Sequence, residues 1–354
     1  MNFITADNNE RIAVRVAIPF NEQARQITNL CVFWLAYSLI GYKQDAAVRF
    51  FLLDEQKICT RNDYNAVFSV RGCGLNERTY KHFERHSIKV CLWHDDLHRF
   101  IYWLPVASMN NVILFEHAHV IFLPSYFHLD RYSQYRRFIQ KSVWLPWSVP
   151  DQSLAWCKCP WNHRQDKVLL PGLQSVHYPL RTTIWRAALA GKAPIVAFLQ
   201  HPGYNRTTMK NRFLGKYYYE HLGSFKGGIA TTSSQRYFFG IKRIDYTLQK
   251  YVEVPASGCL AFVEDIPSLG RMGFVDGLNC IKITKGNWLK KMAIIHSTEA
   301  SAIAQNGRNL IKARHLHSHR IADIVAHIRR LCGLAAADDL IEANGNSGTA
   351  ALFR

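Results

Sequence analysis

Short apolar runs alternate with segments of helical pattern along most of this chain, and the alternation is interrupted once, at residues 145–151. Runs such as 12–18, 64–70 and 88–93 are typical of buried strands, and strands that alternate with helices favour a parallel sheet. Two prolines and a capping aspartate within 145–151 indicate a crossing between domains. We therefore predict an α/β protein with two units of about equal size, which bind ligands in the cleft between them.

The pattern also sets the expected boundaries. The first unit is predicted over residues 1–147 and the second over 148–332, while 333–354 is rich in Ala, Gly, Asn and Asp and is predicted to be a weakly ordered tail. In the second unit, helices are predicted over 178–190 and 245–252. In the first, the short apolar run 112–115 is predicted to be a strand.

Composition limits the class of protein. The chain has 354 residues, 48% of them hydrophobic and 20% charged, which suits a globular protein with more than one core. Residues 1–11 are polar and the longest apolar stretch, 30–40, is too short to span a bilayer. Nine scattered cysteines are typical of reduced thiols. We expect a cytoplasmic protein, and a peripheral position on the inner face of the membrane stays open.

The net charge of +18 predicts an anionic partner, but it does not choose between a nucleotide diphosphate, an acidic glycan, anionic lipid and nucleic acid. Two clusters mix basic and aromatic residues, within 131–141 and 206–219. Such clusters suit phosphate backbones or a membrane surface, and a solvated face explains them equally well. Cys157, Cys159 and His163 lack a second ligand pair, so we predict no metal site.

The stretch 250–265 carries the most chemical information. A helix is predicted to end near Glu253, followed by a turn with Pro255 and Gly258 and then by a buried strand. The helix dipole disfavours a carboxylate at the C-terminal end of a helix, so a glutamate at that place suggests that Glu253 has another task. A carboxylate can accept hydrogen bonds from both hydroxyls of a sugar diol.

Asp245 precedes Glu253 by eight residues, and the Asp-x7-Glu pattern runs into the Pro-Ala-x-Gly turn. Together with 273–279, 304–308 and 314–320, this pattern resembles the C-terminal domain of GT-B glycosyltransferases of the group-one and spore-maturation-protein-like families, most clearly over 241–328. The resemblance implies an α/β GT-B fold, with two Rossmann-like domains facing across a cleft. The first would be the acceptor-side domain and the second the domain that binds a nucleotide-sugar.

The resemblance also implies roles for individual residues. Glu253 would hold the ribose hydroxyls, and Asp245, one methylene shorter than the family's usual glutamate, would face the donor sugar. The diphosphate would meet backbone amides in the turn and the cations that a transfer without metal or other cofactor requires. The predicted diphosphate-binding residues are Ala256, Ser257, Gly258, Arg181 and Lys242. Taken alone, two carboxylates at this spacing are also common on a solvated helix face.

In the first unit, His94 and Asp95 follow a buried strand, where a group that activates the acceptor would lie. The family pattern implies a retaining mechanism, which needs no strong base, so His94 would then orient the acceptor. A loop capped by aspartates is the competing interpretation. His117 and His119 form a second, weaker candidate, of which one could be buried and satisfied. No glycine follows the first strand, unlike the loop found in many GT-B enzymes.

From these features we predict a glycosyltransferase that moves a sugar from a nucleotide-sugar to a glycan or lipid-linked acceptor in the synthesis of a cell-surface or secreted polysaccharide. Two alternatives stay open. One is a glycosyltransferase that acts on modified DNA bases, and the other is a basic nucleic-acid-binding protein that has lost catalysis.

Overall fold

The computed structural model describes residues 14–20, 35–36, 38–45, 47–94, 112–124, 136–172, 178–198, 215–232 and 247–334. These residues contain two separate parallel sheets, which confirms the predicted α/β class. None of the helices in the described ranges combines the length and the apolar character that crossing a bilayer requires.

The first sheet has six strands in the order β2-β1-β3-β4-β5-β6, and every neighbouring pair is parallel. Its strands are rich in Val, Ile, Phe and Leu because helices cover both faces of such a sheet. The strands are β1 Val14–Phe20, β2 Val48–Asp54, β3 Ala66–Val70, β4 Lys89–Trp93, β5 Val120–Leu123 and β6 Ser142–Trp144.

The second sheet has five parallel strands in the order β11-β10-β9-β7-β8. Both sheets therefore follow one plan, in which the first strand of the unit lies between the second and the third. The order reverses at β1/β3 and at β7/β9, and ligands of open α/β sheets bind at the carboxyl ends of strands at such a point. The strands are β7 Gln165–Leu170, β8 Val196–Phe198, β9 Phe225–Ala230, β10 Leu260–Glu264 and β11 Ile281–Ile283.

Eight helices have bounds within the described residues. They are α1 Glu77–Arg85, α2 Ser153–Trp156, α3 Pro179–Leu189, α4 Gly215–Gly223, α5 Lys250–Ala256, α6 Trp288–Met292, α7 Ala300–Arg314 and α8 His317–Leu331. Residues 35–36, 38–40 and 112–117 are also helical. The prediction of a helix over 178–190 is confirmed by α3.

Two local predictions were wrong. The run 112–115 is helical, because burial of Phe115 against its neighbours decides the structure there more strongly than the preference of Val and Ile for strands. The helix that carries Glu253 begins at Lys250 and continues to Ala256, so Glu253 lies in its first turn and not at its end. The dipole of the helix therefore favours this carboxylate.

The last helix of the second unit contacts the first. In α8, Arg329 pairs with Asp45 at 2.8 Å, and the ring of His327 lies edge-on to Phe122 with 5.6 Å between centroids. Trp147 donates from Nε1 to the carbonyl of Thr247 at 2.8 Å. One buried apolar cluster includes residues from both sheets. The boundaries at 147 and 332 stay predictions, and residues 335–354 lie outside the described part of the chain.

Packing of α7 on α5 depends on Gly307. A Cβ at this position would lie 2.6 Å from the carbonyl oxygen of Asn279 and 3.3 Å from Cβ of Pro255. We expect Gly307→Ala to lower the free energy of unfolding by about 1–3 kcal/mol, because backbone would have to move and the helix propensity of alanine offsets only part of this. Urea unfolding measures the change. Gly270→Ala is the control, since nothing lies within 4 Å of its Cβ, and an equal loss in both variants would contradict the packing argument.

Candidate active site

The carboxyl edge of the second sheet collects polar side chains where its strand order reverses. Gly172 follows β7, Thr231 and Thr232 follow β9, and Glu264 ends β10. Gly172 has φ +101°, a conformation that residues with a Cβ rarely adopt. This edge is where the topology predicts a ligand.

Arg181, on the first turns of α3, brings a buried positive charge to this edge. Its side chain is 3% exposed, and Nε donates to Oγ1 of Thr231 at 3.1 Å. The guanidinium lies over the ring of Tyr178, 4.2 Å from the centroid. Burial lowers the pKa of Arg181, while nearby tyrosines and Glu264 act in the opposite direction. The cation is thus held in a buried setting, where it interacts more strongly with an anion than it would in water.

Glu253 forms a second group with Tyr218 and Lys250. It is 8% exposed, and its Oε2 accepts from the hydroxyl of Tyr218 at 2.8 Å and lies 3.4 Å from Nζ of Lys250. Nζ of Lys250 also donates to the hydroxyl of Tyr218 at 2.9 Å. Among the described residues these contacts all reach Oε2, which leaves Oε1 for a ligand hydroxyl.

Gly172 connects the two groups. A Cβ on Gly172 would lie 2.9 Å from Nη1 of Arg181 and 3.1 Å from Cε of Lys250. The two cationic side chains therefore approach the same point of the loop after β7, and only a glycine admits both. Two cations beside a carboxylate suit a ligand that carries both phosphate and hydroxyl groups.

Glu264 was missed by the sequence analysis. It is buried, its Oε2 accepts from the backbone N–H of Thr232 at 2.9 Å, and its carbonyl accepts from the hydroxyl of Tyr251 at 3.2 Å. The signal was a glutamate as the last residue of an otherwise apolar strand. Its carboxylate therefore holds the backbone of Thr232, the second residue after β9.

The sequence-predicted residues divide into three groups. The structure brings Glu253 and Arg181 to one edge of the sheet through Lys250 and Gly172. Lys242, Asp245 and Asp95 lie outside the described residues.

The third group is Ala256, Ser257 and Gly258, which end α5. The backbone N–H of Ser257 donates to the backbone carbonyls of Glu253 and Val254, and the N–H of Gly258 donates to the carbonyl of Pro255. Arg164 donates to the carbonyl of Gly258 at 2.6 Å. The C-terminal end of a helix presents carbonyls and not N–H groups, so this geometry weighs against a role of these amides in holding a diphosphate.

In the first sheet, His94 follows β4 and is buried. The backbone N–H of His94 donates to the carbonyl of Phe122 at 3.0 Å. The imidazole ring lies edge-on to the ring of Phe115, with 5.7 Å between centroids. His94 therefore lies at the carboxyl edge of its sheet, as predicted, with a ring that is packed and not solvated. Its role toward an acceptor stays a prediction.

The second histidine pair has structural contacts. His117 stacks on Tyr80 with 4.0 Å between centroids. His119 accepts at Nδ1 from the N–H of Val90 at 3.1 Å, and burial, with Lys89 and Lys141 nearby, lowers its pKa. In the described part of the basic cluster 131–141, Arg137 pairs with Glu116, and Nζ of Lys141 donates to backbone carbonyls.

Comparisons with known proteins rest on structure. No family model and no curated sequence matches the chain. HepE of Anabaena, solved with UDP and glucose, has a TM-score of 0.58 at 9% identity, over 90% of this chain and 100% of that one. A glycosyltransferase of Rickettsia africae has a TM-score of 0.58 at 10% identity, over 90% and 98%. The chain has the GT-B fold.

An alpha-glucosyltransferase solved with UDP and a 13-mer DNA containing an HMU base is similar as well, with a TM-score of 0.55 at 9% identity over 91% of this chain and 100% of that one. The GT-B fold consists of two Rossmann-like domains that face each other across a cleft, which confirms the prediction of fold. Arg181 and Glu253 lie at the carboxyl edge of the second of these domains, and His94 lies at the carboxyl edge of the first.

Among the described residues, no group of three His, Cys, Asp or Glu side chains could hold a metal ion. In the part of the chain that the structure describes, Arg181 and Lys250 bring positive charge to this edge.

Proposed function

We propose that this protein is a glycosyltransferase that moves a sugar from a nucleotide-sugar donor to an acceptor. The observation that carries the proposal is the pair formed by Glu253 and Lys250, with the buried Arg181 approaching the same glycine as Lys250, at the carboxyl edge of the second domain. Neighbours of the same fold were solved with UDP or UDP-glucose, which supports the donor class.

Each side chain has a task in this proposal. Glu253 accepts hydrogen bonds from the ribose hydroxyls at Oε1, while Tyr218 and Lys250 hold Oε2. Arg181 and Lys250 stabilise the negative charge that develops on the leaving diphosphate. Because the diphosphate meets fixed cations, the transfer is proposed to need no metal ion.

The finer features of the proposal come from the family resemblance. They are retention of the anomeric configuration, with Asp245 facing the sugar, and a glycan or lipid-linked acceptor in polysaccharide synthesis. A cytoplasmic location is proposed from composition, since nine scattered cysteines are typical of reduced thiols. NMR of the first product formed would show the anomeric configuration directly. An inverted product would contradict the retaining mechanism and would require a base, for which His94 and Asp95 are the candidates.

Nucleotide binding provides the first test. We expect one of UDP, GDP, dTDP, ADP and CMP to raise the melting temperature of the protein by several degrees, since a ligand at 100 times its Kd stabilises by about 2.7 kcal/mol. Glu253→Gln should remove most of this shift. Glu220→Gln, on the neighbouring helix α4, where Glu220 pairs with Lys216 at 3.8 Å, is the matched control. No shift with any nucleotide would overturn the proposed function.

Transfer to modified DNA bases is the second candidate, favoured by the net charge of +18 and by the neighbour that was solved with DNA. A DNA acceptor predicts binding that weakens steeply with salt. Labelled sugar that appears on DNA containing hydroxymethyluracil would establish this candidate. Salt-sensitive DNA binding without transfer to any acceptor would favour a binding protein that has lost catalysis.

A further inference from the structure

Tyr178 stands where α3 begins, at a position that usually holds a capping residue. It is the N-cap of α3, and Pro179 follows as the first helical residue. Ser, Thr, Asp and Asn are favoured at an N-cap because their side-chain oxygen accepts from the free N–H groups of the first turn. Among the described residues, the side chain of Tyr178 makes no such bond. The position of its ring shows what it does instead.

The ring of Tyr178 lies against Arg181, three residues further along the chain. Cζ of the guanidinium is 4.2 Å from the centroid of the ring. Residues three apart at the start of a helix lie on one side of it, which brings the two side chains together. Pro179 disfavours a helical conformation at Tyr178, which has φ −124° and ψ 72°, and this helps to fix the direction in which the ring leaves the chain.

Other contacts hold the same guanidinium at its edges. Nε donates to Oγ1 of Thr231 at 3.1 Å. A Cβ on Gly172 would lie 2.9 Å from Nη1, so the loop after β7 approaches the guanidinium as well. A planar group with a ring against its face and a hydrogen bond at its edge is held in one orientation. Tyr178 therefore determines the plane in which Arg181 presents its N–H groups.

The orientation of this plane matters for a phosphate ligand. A guanidinium binds phosphate oxygens through two parallel N–H bonds, which requires the oxygens to lie near its plane. Lys250, the other cation at this edge, carries an ammonium group that acts as a point charge and has no plane to align. It contacts its own tyrosine at the hydroxyl, since Nζ lies 2.9 Å from Oη of Tyr218. The ring face is thus specific to the contact between Tyr178 and Arg181.

We infer that Tyr178 is a positioning residue for sugar transfer, whose ring orients the guanidinium of Arg181 toward the diphosphate of the donor. The inference rests on the proposed function, in which Arg181 stabilises the leaving diphosphate. Tyr178 acts through Arg181 and not on the ligand. A nucleobase stacked on the ring is the alternative, and it would make binding of the nucleoside depend on Tyr178.

Binding of nucleoside diphosphates and of the matching nucleosides to the full chain tests the inference. The probes are UDP, GDP, dTDP and ADP, each compared with its nucleoside. We expect Tyr178→Leu to weaken diphosphate binding by roughly tenfold, the effect of losing a buried contact between a cation and a ring, and to leave nucleoside binding unchanged. Tyr178→Phe keeps the ring and should restore diphosphate binding. Tyr217→Leu, at a 66% exposed tyrosine of α4, is the matched control.

A double-mutant cycle with Arg181→Met separates positioning from a general effect on the fold. If Tyr178 acts through Arg181, Tyr178→Leu should weaken diphosphate binding in the wild type and add nothing in the Arg181→Met background. Effects of the two substitutions that add in full would show that Tyr178 acts independently of Arg181, and would overturn the inference.

Each further outcome also decides the inference. It is overturned if Tyr178→Leu binds the diphosphate like the wild type, if nucleoside binding falls by the same factor, or if Tyr178→Phe loses as much as Tyr178→Leu. Equal melting temperatures of the free proteins would show that the variants fold, and Tyr178→Met, a longer side chain without a ring, replaces a leucine variant that does not. A wild type that binds none of the diphosphates would overturn the proposed function itself, which is a separate result.

Discussion

Replacing Arg181 by methionine is expected to lower kcat/KM for sugar transfer by about two to three orders of magnitude, the effect of removing one fixed donor from a developing anion. The free protein should lose little stability. Burial lowers the pKa of Arg181, which means that the folded chain holds this charge at a cost, and methionine fills a similar volume without that cost. Activity assays with the identified donor and urea unfolding of the free protein measure the two effects.

Arg186→Met provides the matched control, because Arg186 lies on the same helix α3 and is exposed. It should change neither activity nor stability. Binding of a nucleoside diphosphate and of the corresponding nucleoside separates the role of Arg181 further. Only the diphosphate should bind more weakly to Arg181→Met, and equal diphosphate binding by variant and wild type would remove Arg181 from the site.

Acidification is expected to destabilise the protein through two buried histidines at the start of α8. Burial lowers the pKa of His315 to about 4, with the charge of Arg320 adding to the effect. Nδ1 of His315 lies 3.0 Å from Nη2 of Arg320 and Nε2 lies 2.8 Å from the carbonyl of Met272, an arrangement that needs the neutral ring. Burial likewise lowers the pKa of His317 to about 4, although Asp151 acts in the opposite direction.

The unfolded chain, with histidine pKa values near 6.5, binds more protons than the folded one below that pH. Stability is therefore fully present above about pH 6.5 and falls as the pH drops toward about 4. Between about pH 7 and about pH 5, each histidine should lower the free energy of unfolding by about 2 kcal/mol.

Urea unfolding of the wild type and of His317→Gln at the two pH values measures the loss. The variant should show about half of the pH dependence. His296→Gln, at an exposed histidine, is the control and should behave like the wild type. Equal stability of the wild type at both pH values would show that these rings can accept protons while folded.

Several features of the protein were determined by sequence alone. Alternation of apolar strands with helices predicts two parallel sheets, because buried strands and amphipathic helices leave local patterns with different periods. The turn with Pro255 and Gly258 pointed to Glu253, and the start of α3 pointed to Arg181. Each of these signals is contained within about twenty consecutive residues, the length over which local pattern is informative.

Only the tertiary structure decided how these residues form a site. Glu253 meets Tyr218 from 35 residues away, and Arg181 meets Thr231 from 50 residues away. Gly172 is required because two cationic side chains approach it in space. Asp45 pairs with Arg329 over 284 positions, which joins α8 to the first sheet. Such contacts depend on strand order and helix packing, and these arise from burial of the whole chain, so no local pattern of the sequence records them.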